Sequence, residues 1–432
     1  MEAYLAACIA NADDVAIGDT VTGGIVGTVV DASGAPVSGA SVTVTHLPSG
    51  TSATTVTGAN GGFSARGLRV GGPYTVMVSS SAGEVSTDVP SIGIGAPFAV
   101  DLVVTAAAAS DATALSDVVV TGARVARNTS PTANFNQGDI ETLPSIGRDI
   151  KDFVRTSPFA TVDPSNSDAL SIGGQNTRYN AFLVDGVRQG DDFGLNGNGY
   201  PTTGTPVSLS IIEAVSVAVS PYDVQYGGFT GGVINSVTKS GGNDFHGEVF
   251  YEYTHDGLRG NSFSYENFQT GARTDRLVSG QFTDKTWGAT LSGPIIKDRL
   301  FFLLNYEKAE SLAASTSTGP TGSTATNPIP GITQADVDAV RAAVNTAYGF
   351  DPLNWEVAAA PVTDEKMFAK FDWNITDRHR AVLSYQKSES LEFRGGSSST
   401  SSTQPILALA SSAYNYNQIL ENYKAQLFSD WT

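Results

Sequence analysis

From Phe245 onward, hydrophobic and polar side chains take turns along the chain. Phe245, Val249, Tyr251 and Tyr253 share one parity, and His246, Glu248, Glu252 and Thr254 the other. The pattern recurs. Trp287, Ala289 and Leu291 oppose Thr286, Gly288, Thr290 and Ser292; Met367, Ala369, Phe371 and Trp373 oppose Lys366, Lys370 and Asp372. Ala381, Leu383 and Tyr385 oppose Arg380, Ser384 and Gln386, and Tyr423, Ala425, Leu427 and Trp431 oppose Asn422, Lys424, Gln426 and Asp430. A further run sets Leu300, Phe302, Leu304 and Tyr306 against Arg299, Asn305 and Glu307, with Phe301 and Leu303 breaking its polar side. A period of two places alternate residues on opposite faces of a strand. Six runs of about ten residues, each apolar on one side with aromatics near its ends, have the length and pattern of a β-strand crossing a bilayer.

The connections between these runs are sorted by length. Leu258 to Thr283 and Glu310 to Thr363 are long, as is the Ser/Thr-rich stretch Arg394 to Ser412, whereas Lys297-Asp298 and Thr376-Asp377-Arg378 are tight. Short turns at one end and long loops at the other belong to membrane barrels. A water-soluble sandwich has no reason to sort them. The longest loop predicts a helix over Thr333 to Tyr348, with Val337, Val340 and Val344 on one side. Six strands do not close a barrel, which takes at least about eight. The chain is therefore expected to be a fragment, with residues 241–432 supplying the first strands of an antiparallel transmembrane β-barrel.

Upstream the periodicity shortens. Residues 21–106 hold β-runs from Gly23 up to a turn at Asp31 to Gly34, then at Ala40 to His46, Thr51 to Thr57, Phe63 to Leu68, Tyr74 to Ser79 and Phe98 to Thr105. Asn60-Gly61-Gly62 and Gly71-Gly72-Pro73 punctuate them, which predicts a small antiparallel sandwich. Residues 107–130 open with AAAASDATALSD, a flexible linker by composition, and lead into the β-run Asp117, Val118, Val119, Val120 and Thr121. Such a run beside a mobile tether is either an edge strand of the next domain or a strand offered to a partner's sheet. Residues 131–240 read as mixed α/β. Ser145 caps an expected helix with Ile146, Ile150, Phe153 and Val154 as its apolar stripe, ended by Ser157-Pro158. Strands follow at Ala169 to Ile172, Ala181 to Val184, Ile211 to Val219 and Val233 to Lys239, with Gly227, Gly228, Gly231 and Gly232 crowding one bend. Glycine accepts positive φ and lets backbones approach closely.

Composition narrows the function. There are 43 acidic against 25 basic residues, a net charge of −18, so phosphate backbones are repelled and nucleic acid is not an expected partner. Cys8 is the single cysteine, which rules out an internal disulfide and a cysteine-based metal site. The histidines His46, His246, His255 and His379 lack metal-ligand spacing. If one strand carries both His246 and His255, they face opposite ways. Asp185 sits in an Asp-Gly turn without a companion nucleophile. Neither a catalytic set, a cofactor nor a metal is expected, and the chain does not read as an enzyme. No run is long and apolar enough for a membrane helix. Residues 1–20, with Ala10-Asn11-Ala12 and Leu5-Ala6-Ala7-Cys8, read as the remnant of a secretory signal.

Several strings carry a resemblance. Gly27 to Val42 with Gly62-Phe63 resembles the carboxypeptidase regulatory-like module, a non-catalytic carbohydrate-binding-like fold. The stretch from Ser171 to Val187, with Gly173, Gly174, Asn180, Asp185 and Gly186, resembles the plug domain of TonB-dependent outer-membrane receptors. The commoner family form has Arg-Gly where Gly173-Gly174 stands. IEAVSVAVSPYDVQYGGFTGGVIN, with Tyr226, Gly227, Gly231, Gly232 and Asn235, resembles the plug's closing stretch, and the string GGVINSVTKSGGNDFHGEVFYEY is nearest to the Oar-like branch. That resemblance implies a bacterial outer-membrane protein with its sandwich in the periplasm. It further implies that Asp117 to Thr121 is the TonB-box-like segment gripped by a TonB-type energising protein, and that an extracellular ligand is taken up through a plugged barrel. Whether that ligand is a siderophore, a glycan or a peptide is not written in the loops. The rival reading is a secreted carbohydrate-binding or adhesive β-sandwich protein.

Overall fold

The computed structural model describes residues 21–429 apart from positions 82, 96, 106–131, 146, 164–168, 192–193, 195, 220, 222–226, 259–261, 267–269, 278–281, 313–316 and 358–359. Its first unit contains β1 (Thr22–Asp31), β2 (Ser41–His46), β3 (Thr51–Val56), β4 (Gly62–Arg69), β5 (Tyr74–Ser80), β6 (Gly83–Val89) and β7 (Phe98–Val104). They form two facing sheets, β4-β1-β7 and β3-β2-β5-β6. All pairs are antiparallel except β1 with β7, which run parallel. Alternation is obeyed in the ordinary sense: Val42, Val44, Val76 and Val78 are buried between the sheets with Ile25, Val29 and Leu102. Strand β6 is not legible in the sequence. It is an edge strand in which Val85 and Val89 pack on the core while the exposed Glu84, Ser86 and Asp88 occupy the other face, so it lacks an apolar run.

The second unit is a five-stranded sheet with short helices. It comprises β8 (Thr132–Asn136), α1 (Gln137–Thr142), α2 (Lys151–Val154), β9 (Ala160–Asp163), β10 (Ala169–Ile172), β11 (Ala181–Val184), β12 (Val187–Arg188), β13 (Ile212–Val219) and β14 (Gly232–Thr238). The sheet order is β12-β11-β14-β13-β8, and β9 pairs separately with β10. Helix α1 starts from a capping box in which Asn136 and Asp139 satisfy each other's backbone. The helix expected from Ser145 is a single turn beginning at Lys151. Arg148, at φ 49°, interrupts the right-handed path before it. Ser145 still serves the turn: its Oγ accepts from the Asp149 amide at 3.2 Å and donates to Asp152 at 2.5 Å.

The third unit is a six-stranded antiparallel sheet ordered β15-β18-β19-β22-β23-β24. Its strands are β15 (His246–His255), β18 (Thr283–Ile296), β19 (Leu300–Leu312), β22 (Val362–Thr376), β23 (His379–Arg394) and β24 (Tyr414–Ser429). Five of them have 13 to 16 residues, longer than the expected ten, because the ladders continue past the apolar belt into the long-loop side. Both His246 and His255 lie on β15. The long connections have structure of their own. One holds the hairpin β16 (Ser262–Glu266) and β17 (Arg273–Leu277). Another holds the parallel pair β20 (Thr318–Pro320) and β21 (Asn327–Ile329), followed by α3 (Gln334–Tyr348). Helix α3 is capped by Thr333 and Asp336 and ends at Gly349, φ 64°. Of its three expected apolar positions only Val337 is buried, and Val340 is half exposed.

Candidate functional site

The large sheet is polarised in the opposite sense to the sandwich. Val249 is 83% exposed, Tyr423 77% and Leu427 63%, and Trp287, Leu304, Trp373 and Leu383 also point outward. On the other face Glu307, Asp364, Lys366, Lys370, Asp372, Gln386, Ser388 and Ser390 are buried. A soluble sheet hides its apolar face, since water rejects it. A sheet that shows water its tryptophans and hides its lysines is built for lipid outside and a polar lumen inside. Phe301 and Leu303, which break the alternation of β19, are inward residues. Leu303 and Phe368 pack directly on the plug-like core around Ile172, Ile211 and Val215, which accounts for apolar side chains on a polar face.

Most of the remaining contact between that unit and the wall is polar. Glu307 on β19 accepts from Lys366 Nζ at 2.7 Å and from Ser208 Oγ at 2.6 Å, with Arg148 Nε at 3.9 Å. Arg148 also donates to Ser210 Oγ at 2.7 Å, pairs with Glu252 at 3.3 Å and lies over the Phe250 ring at 3.8 Å. Ser210 donates onward to Glu248 at 3.0 Å. Two strands of wall, β15 and β19, therefore converge on one arginine of the plug-like unit. Farther along, Gln386 exchanges hydrogen bonds with Gln189 and donates to the Pro206 carbonyl, and Gln418 donates to Asn196 at 2.7 Å. Buried charges persist only when paired and hydrogen-bonded. Here the partners come from opposite sides of the interface.

The residues expected from the sequence fall into two groups. Gly173 and Gly174 both have positive φ in the turn after β10. Nearby, Asn180 donates to the Leu170 carbonyl at 2.8 Å and accepts from the Gly232 amide at 3.0 Å, tying β10 to the start of β14. A Cβ at Gly232 would stand 2.5 Å from Ile172 Cγ2, so the glycine permits that approach. Gly231 lies against the Asn180 side chain, whereas Gly227 has open space around it. At the far end of the sheet Asp185, φ 48°, precedes Gly186, φ 80°. Its carboxylate accepts from the Thr238 amide at 2.8 Å and hydroxyl at 2.6 Å and lies 3.8 Å from Lys370 Nζ. Lys370 also donates to Thr238, and Lys424 to the Asp185 carbonyl. So Asp185 is more than a turn former: it links β11, β14, β22 and β24. Asn235 is buried midway along β14. Asp117, Val118, Val119, Val120, Thr121 and Tyr226 lie outside the described residues.

Sequence reasoning missed Arg148, Ser208, Glu307 and Lys366 as a constellation. The inward parity of Glu307 and Lys366 was visible; the arginine has no local signal. Two further groups are tuned by burial. Glu213 on β13 is pushed up from its ordinary range by desolvation, against the pull of Lys239 and Lys370. The Tyr200 phenol is raised for the same reason and by Asp149, which accepts its hydrogen bond at 2.8 Å.

Comparison with known proteins agrees with this geometry. Residues 24–107 match the carboxypeptidase regulatory-like domain, residues 124–233 the TonB-dependent receptor plug domain, and residues 237–432 an outer membrane beta barrel domain. The chain belongs to the TonB-dependent receptors. Its TonB-dependent relatives include the transporter Oar of Myxococcus xanthus, 35% identical over 141 residues, which is 32% of this chain and 12% of that protein. The probable siderophore receptor PirA of Acinetobacter baumannii is 29% identical over 213 residues, 46% of this chain and 25% of that protein. The crystal structure of that PirA covers 70% of this chain and 38% of its own, at 20% identity and a TM-score of 0.46. The chain thus spans a minor part of the length of the curated relatives it matches. A plug and the wall of an outer-membrane β-barrel place this receptor in the outer membrane. Oar is named as a transporter and PirA as a probable siderophore receptor.

Proposed function

We propose that the receptor drives energised uptake of an extracellular ligand through its plugged barrel. Residues 131–240 act as the stopper, residues 241–432 as the first part of the wall, and the linker 107–130 carries the grip segment Asp117 to Thr121. A TonB-type protein in the periplasm adds to that segment as a strand and pulls. Gly173, Gly174, Asn180, Asp185, Gly186, Tyr226, Gly227, Gly231, Gly232 and Asn235 keep the stopper's shape.

The observation that carries this reading is the character of the plug–wall contact. Apart from Leu303 and Phe368 it consists largely of side-chain hydrogen bonds and ion pairs, such as Glu307 with Ser208 and Arg148, and Gln386 with Gln189. Water replaces such partners with little net loss, so the seal is specific yet releasable. Among ligand classes, a siderophore has the support of the likeness to PirA. The decisive measurement is capture by the purified periplasmic domain of the TonB-type protein. Deleting Val118 to Val120 should abolish capture and uptake while leaving the receptor in the outer membrane; unchanged capture would overturn the assignment.

A further inference from the structure

Between the sandwich, the plug and the wall lies a cavity of about 400 Å³. The plug contributes Asp185, Glu213 and Thr238 to it, the wall Lys370, Asp372 and Phe428, and the sandwich His46, Pro48, Arg69 and Val70. The sandwich side is the side of the tight turns. Asn243 donates its amide to the Pro48 carbonyl at 2.7 Å and pairs with Asp298 of the β18–β19 turn. Gly50, φ 64°, abuts the same Asp298, and a Cβ there would sit 2.5 Å from its Oδ1. Passage from the barrel lumen toward the short-turn end meets the sandwich.

We propose that the sandwich is an exit gate, a floor that must undock before the lumen opens on the short-turn side. The proposal rests on the transporter reading and adds a moving part to it. Its bolt is Arg69. The guanidinium donates to Asp372 Oδ1 at 2.8 Å and to Asn374 Oδ1 at 2.9 Å, both on β22, and the pair is almost fully buried. Beside it Val21, Val70 and Ile94 of the sandwich cover Ala214 and Val237 of the plug, with Phe428 of the wall at the edge. This contact is small for an apolar interface, and a buried ion pair confers registry with little net stability. Together they give a docking that is exact in position and easy to reverse. Since the floor covers plug strands β13 and β14 as well as the wall, plug movement and gate opening are coupled.

The test uses Ala214, 4% exposed beneath the sandwich. In a Cys8→Ser background an Ala214→Cys receptor is exposed from the periplasmic side to a membrane-impermeant maleimide. De-energised cells should label it slowly. Adding Arg69→Ala should speed labelling by about tenfold or more, because the sandwich loses its buried ion pair to β22 while Asp372 keeps Lys370, Arg380 and Ser240 on the plug and wall side. A Pro48→Cys/Gly242→Cys pair then serves as a clamp. A Cβ at 242 would stand 3.5 Å from Pro48 Cβ, within disulfide reach after a small shift of the Pro48 carbonyl. With Ala214→Cys and the clamp oxidised, labelling should stay slow even in energised cells, and reduction should restore it. Equal labelling of the Arg69→Ala and parent receptors, or fast labelling through a closed clamp, would overturn the gate. The Arg69 arm needs no energy source, so it reads the gate even if capture by the TonB-type protein fails.

Discussion

The sandwich and the barrel wall use the same alternation to opposite ends. In the sandwich the apolar face of a strand disappears into a core, and β2 and β5 bury Val42, Val44, Val76 and Val78. In the wall, β22 turns Met367, Phe371 and Trp373 outward and buries Lys366, Lys370 and Asp372. A period of two says which residues share a face; it does not say which face meets solvent. The solvent decides that. Water outside makes a sandwich, and lipid outside with a polar stopper inside makes a wall.

The comparison breaks most visibly at Glu307. Removing it with Glu307→Ala leaves Lys366 buried with only Asp364 nearby and takes a partner from Arg148, and should destabilise the plugged receptor by about 3–5 kcal/mol. Denaturant unfolding in detergent measures this, and Glu307→Gln should lose less because it retains hydrogen bonding to Ser208. A smaller loss, about 2–4 kcal/mol near the bilayer midplane, is expected for Val249→Arg in lipid. Val249 is among the most exposed residues of the wall, so a water-soluble sheet would tolerate that change. Equal stability of Val249→Arg and the parent in bilayers would refute the outward-lipid assignment.

Near neutral pH, the smallest effect sharpens the sandwich side. His46 is held down to about 3, chiefly by burial and then by Arg69 and Arg380, with Asp372 opposing. Its Nδ1 is 2.7 Å from Ser49 Oγ, and its ring packs on Tyr74. The unfolded chain takes up the proton near the ordinary histidine value, so the stabilisation is full above that value and is lost as pH falls toward 3. Sandwich stability should therefore decline below about pH 6.5 by at most about 1.4 kcal/mol per pH unit from this residue. Replacing it by His46→Asn should flatten the slope in denaturation curves recorded across that window.

How much of this was legible varied with the physics involved. The wall strands were, because Trp287, Phe371 and Tyr423 recur at even spacing over long runs. The sandwich strands were legible where Val42, Val76 or Leu102 marked a core, and β6 escaped because its two packed valines, Val85 and Val89, are separated by Ser86, Thr87 and Asp88. The plug helix was misplaced because the stripe from Ile146 to Val154 does not register the positive φ of Arg148. At the site, Asp185 and Asn180 were picked out by motif, but their partners Thr238, Lys370 and Gly232 are fixed by tertiary pairing. Long-range polar contacts such as Arg69 with Asp372, 303 residues apart, leave no mark on local sequence.

The glutamine pair between plug and wall, Gln189 with Gln386, has a calorimetric consequence. Exposing polar groups lowers heat capacity, whereas exposing apolar ones raises it. Withdrawing a stopper held mainly by amides, hydroxyls and carboxylates should thus lower heat capacity, offset by the apolar surface of Leu303 and Phe368, so the net change is small and the force needed should vary little between cold and warm surroundings.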